Sequence, residues 1–196
     1  MPEIGIIPTG YERTLPPEAQ LLARARRRAL VRRCEGRVLD LGGADTHRSL
    51  WAGTPTAHVE VLDGAHDPRL DELASAGARF DTVLSVFQLA SSRDLGRLLA
   101  RLHALLADEG RLHFLEPTRV PGRAARLQRL ASPGLSAVTG WRADRDVPMA
   151  LRSAGLSVID VERHRVPTLQ PWLRQLVEGT AHRALPPRSP DPERGE

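Results

Sequence analysis

The stretch that decides the fold is Arg37-Val38-Leu39-Asp40-Leu41-Gly42-Gly43. Apolar residues around one acid, then two glycines, read as a short buried strand entering a tight turn. Working outward, His58-Val59-Glu60-Val61-Leu62 is a second strand ending at Asp63-Gly64, and Phe80-Asp81-Thr82-Val83-Leu84-Ser85-Val86-Phe87 is a third. Residues 69–76 between them form a short helix. Leu95, Leu98, Leu99, Leu102, Leu105 and Leu106 recur at helical spacing and make an amphipathic helix that Gly110 closes. In front of it, Ser91-Ser92-Arg93-Asp94 resembles a capping box with aspartate in place of the usual glutamate. Arg111 to Glu116 is a fourth strand. Strands alternating with helices at these lengths give an α/β fold built on a mostly parallel sheet.

On the N-terminal side, residues 1–16 form an irregular leader, and a helix starts near Pro17 and runs to about residue 34. Leu21, Leu22, Ala25 and Ala29 share one face; Arg24, Arg26, Arg27, Arg28, Arg32 and Arg33 occupy much of the rest. Six arginines on one helix admit a solvated or internally paired surface, an anionic-partner patch, or a membrane contact, and the first is the default. Asp45 or Thr46 caps a short helix through Trp51. Beyond the fourth strand, residues 123–131 read as helix and 133–140 as loop. Asp144 or Asp146 starts a helix bearing Val147, Ala150, Leu151 and Ala154, which Gly155 stops. Residues 156–165 and 177–185 are strands. The tail 186–196, with four prolines, is expected to be disordered, leaving residues 17–185 as one domain.

Composition narrows the chemistry. The chain has 196 residues, and all 28 of its basic residues are arginine. Without lysine there is no Schiff-base nucleophile and no phosphate-loop lysine. The single cysteine, Cys34, excludes an intrachain disulfide and a multi-cysteine zinc site, and no metal is expected. A net charge of +4 is too small to indicate nucleic acid. No apolar run approaches the ~20 residues that span a bilayer, and the N-terminal stretch is not expected to act as a secretory signal. The expected compartment is cytoplasmic.

Val38-Leu39-Asp40-Leu41-Gly42-Gly43, an acid after the second strand, Phe80 to Ser85, and Leu105-Leu106-Ala107-Asp108-Glu109-Gly110-Arg111-Leu112-His113-Phe114-Leu115-Glu116-Pro117 together resemble class I S-adenosylmethionine-dependent methyltransferases. Pro121-Gly122, Gly140-Trp141-Arg142, Arg145-Asp146, Ala150 to Leu156 and Gly179-Thr180-Ala181 look like the type 11 and thiol methyltransferase-like subgroup. The resemblance spans about residues 17–185. It implies a Rossmann-like three-layer α/β/α fold and transfer of a methyl group to a small-molecule acceptor. By resemblance, Asp40, Gly42, Gly43 and Ala44 line the methionine end of S-adenosylmethionine, Asp63 holds the ribose, and Ser85, Val86 and Phe87 lie near the sulfonium. Substrate-side candidates are His47, Gln88, Glu116 (placed facing the ligand crevice), Trp141 and Arg142. No triad is found and no residue is assigned a catalytic role, since in-line methyl transfer can proceed by positioning and exclusion of water.

Two departures from the family pattern carry their own expectations. Ala44 and Thr46 stand where the turn usually has its second and third glycines. Residues 64–79 are too few for two crossovers and a strand, since one crossover already takes about 10–12 residues. The outer strand 3 is therefore expected to be missing, leaving the family order 2-1-4-5-7-6 with His58–Leu62 as an edge shielded by a helix or by the second subunit of a homodimer. These departures also motivate the alternative of a catalytically inactive scaffold serving as a binding or regulatory partner.

Overall fold

A computed structural model describes residues 25–42, 51, 54, 56, 58–139, 142–166 and 175–183, without the side chains of 135 and 137–139. The leader, Gly43, Ala44, Thr46, His47, Trp141 and the tail lie outside the described residues.

Among the described residues six strands form one sheet: β1 (Arg37–Asp40), β2 (His58–Val61), β3 (Phe80–Val86), β4 (Leu106–Pro117), β5 (Leu156–Arg165) and β6 (Gln175–Arg183). Their order is β2-β1-β3-β4-β6-β5. The first four are mutually parallel, and β6 runs antiparallel between β4 and β5. With strand 3 omitted this is the expected family order, and β2 is the edge. Helix α1 covers residues 25–31. It is followed by α2 (Arg69–Ser75), α3 (Gln88–Ser91), α4 (Leu95–Leu105), α5 (Ala124–Thr139) and α6 (Val147–Ser153).

The core lies on both faces of the sheet. On one face, Leu39, Val83, Leu112 and Phe114 pack against Leu70 of α2, Leu98, Leu99, Leu102 and Leu105 of α4, and Val147 and Leu151 of α6. On the other, Val38, Leu84, Val86 and Leu115 pack against Leu30, Val31 and Cys34. The continuous burial of β3 and β4 is what a sheet covered on both sides requires.

Several local expectations are corrected. The buried face of α1 carries Arg27, Leu30 and Val31, with Cys34 just beyond it, while Ala25 is exposed. Burial, reinforced by the charge on Asp40, pushes the Cys34 thiol up to about 12, so it is a packing residue. Ser91 closes α3 and does not cap α4; Asp94 does, its carboxylate accepting from Arg97 N at 2.9 Å. Leu106 ends α4 in an extended conformation and already pairs with Phe80, so β4 begins five residues before Arg111. Helix α5 continues through Pro133 into the stretch read as loop. Ser132 bonds Asp144, and Ser136 Oγ donates to the Pro133 carbonyl, so side chains anchor the turn that a proline weakens. The start and stop of α6 are as expected: of the two candidates Asp146 caps it through Met149 N, and Gly155 at φ +80° stops it.

Candidate active site at the ends of the parallel strands

In an open parallel sheet, ligands bind outside the carboxyl ends of the strands. Here those ends bring Asp40, Asp63, Val86 and Glu116 to one side of the molecule.

Asp40 is fully buried at the end of β1. Its carboxylate accepts from Gly42 N at 3.0 Å and from the Trp51 indole N–H at 3.1 Å. The Arg27 guanidinium, also buried, stands 3.6 Å from Asp40 Oδ1 and donates to the Gly42 carbonyl at 3.3 Å. A buried carboxylate is tolerated when its charge is matched and its lone pairs are used. Arg27 and Trp51 supply both, which fixes the entry to the glycine turn. The sequence assigned neither a site role. The available signal for Arg27 was its position on the same helical face as Leu30, Val31 and Cys34.

Asp63 lies just past β2 and is exposed. Its backbone N–H donates to Asp67 Oδ2 at 2.8 Å, which sets the turn and leaves the Asp63 carboxylate without a partner among the described residues. Gly64 follows at φ +91°, and a Cβ there would come 3.1 Å from Gln88 Oε1. That oxygen accepts from Ala65 N at 3.1 Å and ties the β2 loop to α3.

Ser85, Val86 and Phe87 lead from β3 into α3 and are buried. Phe87 takes φ +60°, an uncommon conformation for a non-glycine residue and one that turns the chain sharply into the helix. Glu116 holds that turn. Its Oε1 accepts from Ser85 Oγ at 2.7 Å and from Gln88 N and Leu89 N at 3.0 Å, and its Oε2 accepts from Ala90 N at 3.0 Å. Glu116 therefore does not face an open crevice: it is 0% exposed. Burial pushes its carboxyl up to about 7, while the four donors pull the other way. Arg142 is exposed, its backbone N–H on the Ala90 carbonyl. Arg145, quoted from the sequence only as part of the subgroup resemblance and given no site role, donates to the Leu89 carbonyl at 2.8 Å, so contacts from two sides hold the short helix.

Among the described residues no group of three or more His, Cys, Asp or Glu side chains is disposed to hold a metal ion. None of their helices is long and apolar enough to cross a membrane.

The parallel half-sheet with the antiparallel β6 inserted beside β4 is a Rossmann-like α/β fold of the kind seen in class I methyltransferases. Solved structures bear this out. The chain superposes on Burkholderia thailandensis 1,6-didemethyltoxoflavin-N1-methyltransferase, crystallised with its 1,6-didemethyltoxoflavin and S-adenosylhomocysteine, at a TM-score of 0.56 and 18% identity, covering 88% of this chain and 83% of that one. It matches the putative methyltransferase complexed with the Trm112 activator of Haloferax volcanii at 0.52 and 12% identity, over 90% and 98% of the two chains. It also matches the mitomycin 7-O-methyltransferase MmcR at 0.51 and 14% identity, over 87% of this chain and 59% of that one. No family model and no curated protein matches the sequence.

Proposed function

We propose that the protein is an S-adenosylmethionine-dependent methyltransferase acting on a small-molecule acceptor. The observation that carries this reading is the exposed Asp63 carboxylate just past β2, which has no partner among the described residues, beside the buried and charge-matched stretch from Asp40 to Gly42. A carboxylate there can accept from both hydroxyls of a ribose, so the residues present fit the sugar of the cofactor. When bound, S-adenosylmethionine supplies a sulfonium methyl group open to in-line displacement. Gly42, with Gly43 and Ala44 after it, offers backbone to the methionine end. Asp40 and Arg27 fix that turn. Ser85 and Glu116 act behind α3 as positioning residues, and Val86, Phe87 and Gln88 set where the first turn of α3 lies. His47, Trp141 and Arg142 remain proposed for the acceptor side.

Isothermal titration with S-adenosylmethionine and S-adenosylhomocysteine tests the reading. Asp63→Ala is expected to weaken binding about 10-fold or more, as expected when a charge-assisted pair is lost. No heat at millimolar ligand in the unaltered protein would overturn it.

One observation favours the second reading, a catalytically inactive scaffold that serves as a binding or regulatory partner. The loop after Asp63 passes directly into α2, with no outer strand to extend the adenine side. S-adenosylmethionine or its demethylated product copurifying in a native mass spectrum would count against that reading.

A further inference from the structure

Helix α5 turns its leucines away from the core. Leu127 and Leu130, three residues apart and neighbours on the helix surface, are 69% and 80% exposed, whereas Gln128 and Ser132 are buried. The inward side is polar because its contacts are hydrogen bonds. Gln128 accepts from Val120 N and donates to the Ala143 carbonyl, and Ser132 bonds Asp144. A single exposed leucine needs no explanation. Two adjacent ones, on a helix anchored by its polar side, direct an apolar stripe at solvent.

The charge around this stripe has one sign. Arg123, just before the helix, and Arg126 and Arg129 within it are exposed. From Gly122 to Thr139 the sequence carries these arginines and no acid. None of the three takes part in an ion pair among the described residues. The acids of the following loop are occupied elsewhere: Asp146 by Arg119 at 3.1 Å, and Asp144 by Ser132 and, at 3.9 Å, by Arg142.

Exposed leucines flanked by unpaired arginines select among occupants. A second copy of α5 laid on the first brings like charges together with no acid to offset them. A nucleic acid engages the arginines through its phosphates and gives the leucines nothing apolar along its backbone. An anionic bilayer engages both: guanidiniums meet lipid phosphates, and leucines enter the boundary between headgroups and acyl chains.

We propose that the protein docks on anionic lipid surfaces through the Leu127 and Leu130 face of α5, with Arg123, Arg126 and Arg129 on the headgroup phosphates. The loop that Gln128 holds at Ala143 also bonds α3, through Arg142 N on the Ala90 carbonyl and Arg145 on the Leu89 carbonyl. Docking therefore fixes the candidate site relative to the membrane. The docking is independent of the methyltransferase reading, and its test does not involve Asp63.

The full chain is sedimented with vesicles of phosphatidylcholine alone and with vesicles of equal parts phosphatidylcholine and phosphatidylglycerol. Binding is expected only to the anionic vesicles, and it falls as salt is added. Leu127→Gln combined with Leu130→Gln is expected to weaken it about 10-fold or more, and Arg126→Gln about 5-fold. Both changes lie at exposed positions and are expected to leave the melting temperature unchanged. Arg28→Gln combined with Arg32→Gln, on the exposed side of α1, is the control and is expected to weaken binding by about 2-fold at most. No binding to the anionic vesicles, or equal binding to the neutral ones, would overturn the proposal. So would undiminished binding by the leucine double variant, or a larger loss through the α1 pair than through α5. A lower molecular mass of the leucine double variant in light scattering would show a second copy covering the face, and would overturn it as well.

Discussion

The Glu116 carboxylate sits between two opposed forces. Burial disfavours its charge, while Ser85 Oγ and three backbone N–H groups favour it, and burial prevails, placing the group at about 7 against an ordinary 4.5. The folded protein thus holds this proton more tightly than the unfolded chain does. Its stabilising contribution is complete below about pH 4.5 and is lost as pH rises towards 7, an effect of about 3 kcal/mol. Denaturant melts of the unaltered protein and Glu116→Gln between pH 4.5 and 8 should show the stability of the former falling relative to the latter across that window. A constant difference would mean that Glu116 is ionised throughout. Legibility at this scale was uneven. Asp40 and Asp63 stand out through the resemblance to class I methyltransferases, which implies an acid at the end of the first strand and another after the second. Arg27 did not stand out, because an arginine on an arginine-rich helix reads as surface. The strand-end position of Glu116 was readable, but three of its four partners are main-chain groups 26 to 28 residues away, and no residue type announces them.

Among the elements, α4 shows what a pattern gives and where it stops. The leucine spacing fixed the helix, and Leu98, Leu99, Leu102 and Leu105 are all buried. The start was misplaced because Ser91 and Asp94 are both competent caps, and only the fold of α3 decides between them. Asp94→Ala is expected to cost about 1 kcal/mol, read in a chemical melt, whereas Asp94→Asn, whose side-chain oxygen can still accept from Arg97 N, is expected to change stability by no more than about 0.5 kcal/mol at this exposed position. Equal losses would mean that the charge of Asp94, and not its hydrogen bond to Arg97 N, supports the helix. Helix α5 is the opposite case. Pro133 and Gly134 predict a break, yet the helix runs past them: Ser132 bonds Asp144 beside the proline, and a turn earlier Gln128 accepts from Val120 N at 2.8 Å and donates to the Ala143 carbonyl at 2.7 Å. Leu127 and Leu130 face outward, so the apolar spacing that locates the other helices points the wrong way here.

For the molecule as a whole, the decisive feature is the sheet's short side. Chain length between Asp63 and Phe80 was enough to infer that an outer strand is missing, and the strand order agrees. What length alone did not reveal is how the exposed edge is managed. Leu62 N donates to the Asp40 carbonyl, so the neighbouring Val61 carbonyl points away from β1 to the free side. Arg69 Nη2 donates to that carbonyl at 2.9 Å while Nη1 reaches Glu60 at 3.1 Å. A guanidinium held in place by Asp67, its carboxylate 2.7 Å from Nη2, thus occupies an acceptor that an incoming strand would need. The strand is also only four residues long, which limits any ladder built on it. A homodimer across β2, proposed from the uncovered edge, then competes with this intramolecular cap. Arg69→Ala frees the Val61 carbonyl and is expected to raise the mass seen by size-exclusion light scattering towards that of a dimer as concentration increases. If the unaltered protein is already dimeric and Arg69→Ala leaves its mass unchanged, the contact lies elsewhere on the surface and the guanidinium serves only to close the loop between β2 and α2.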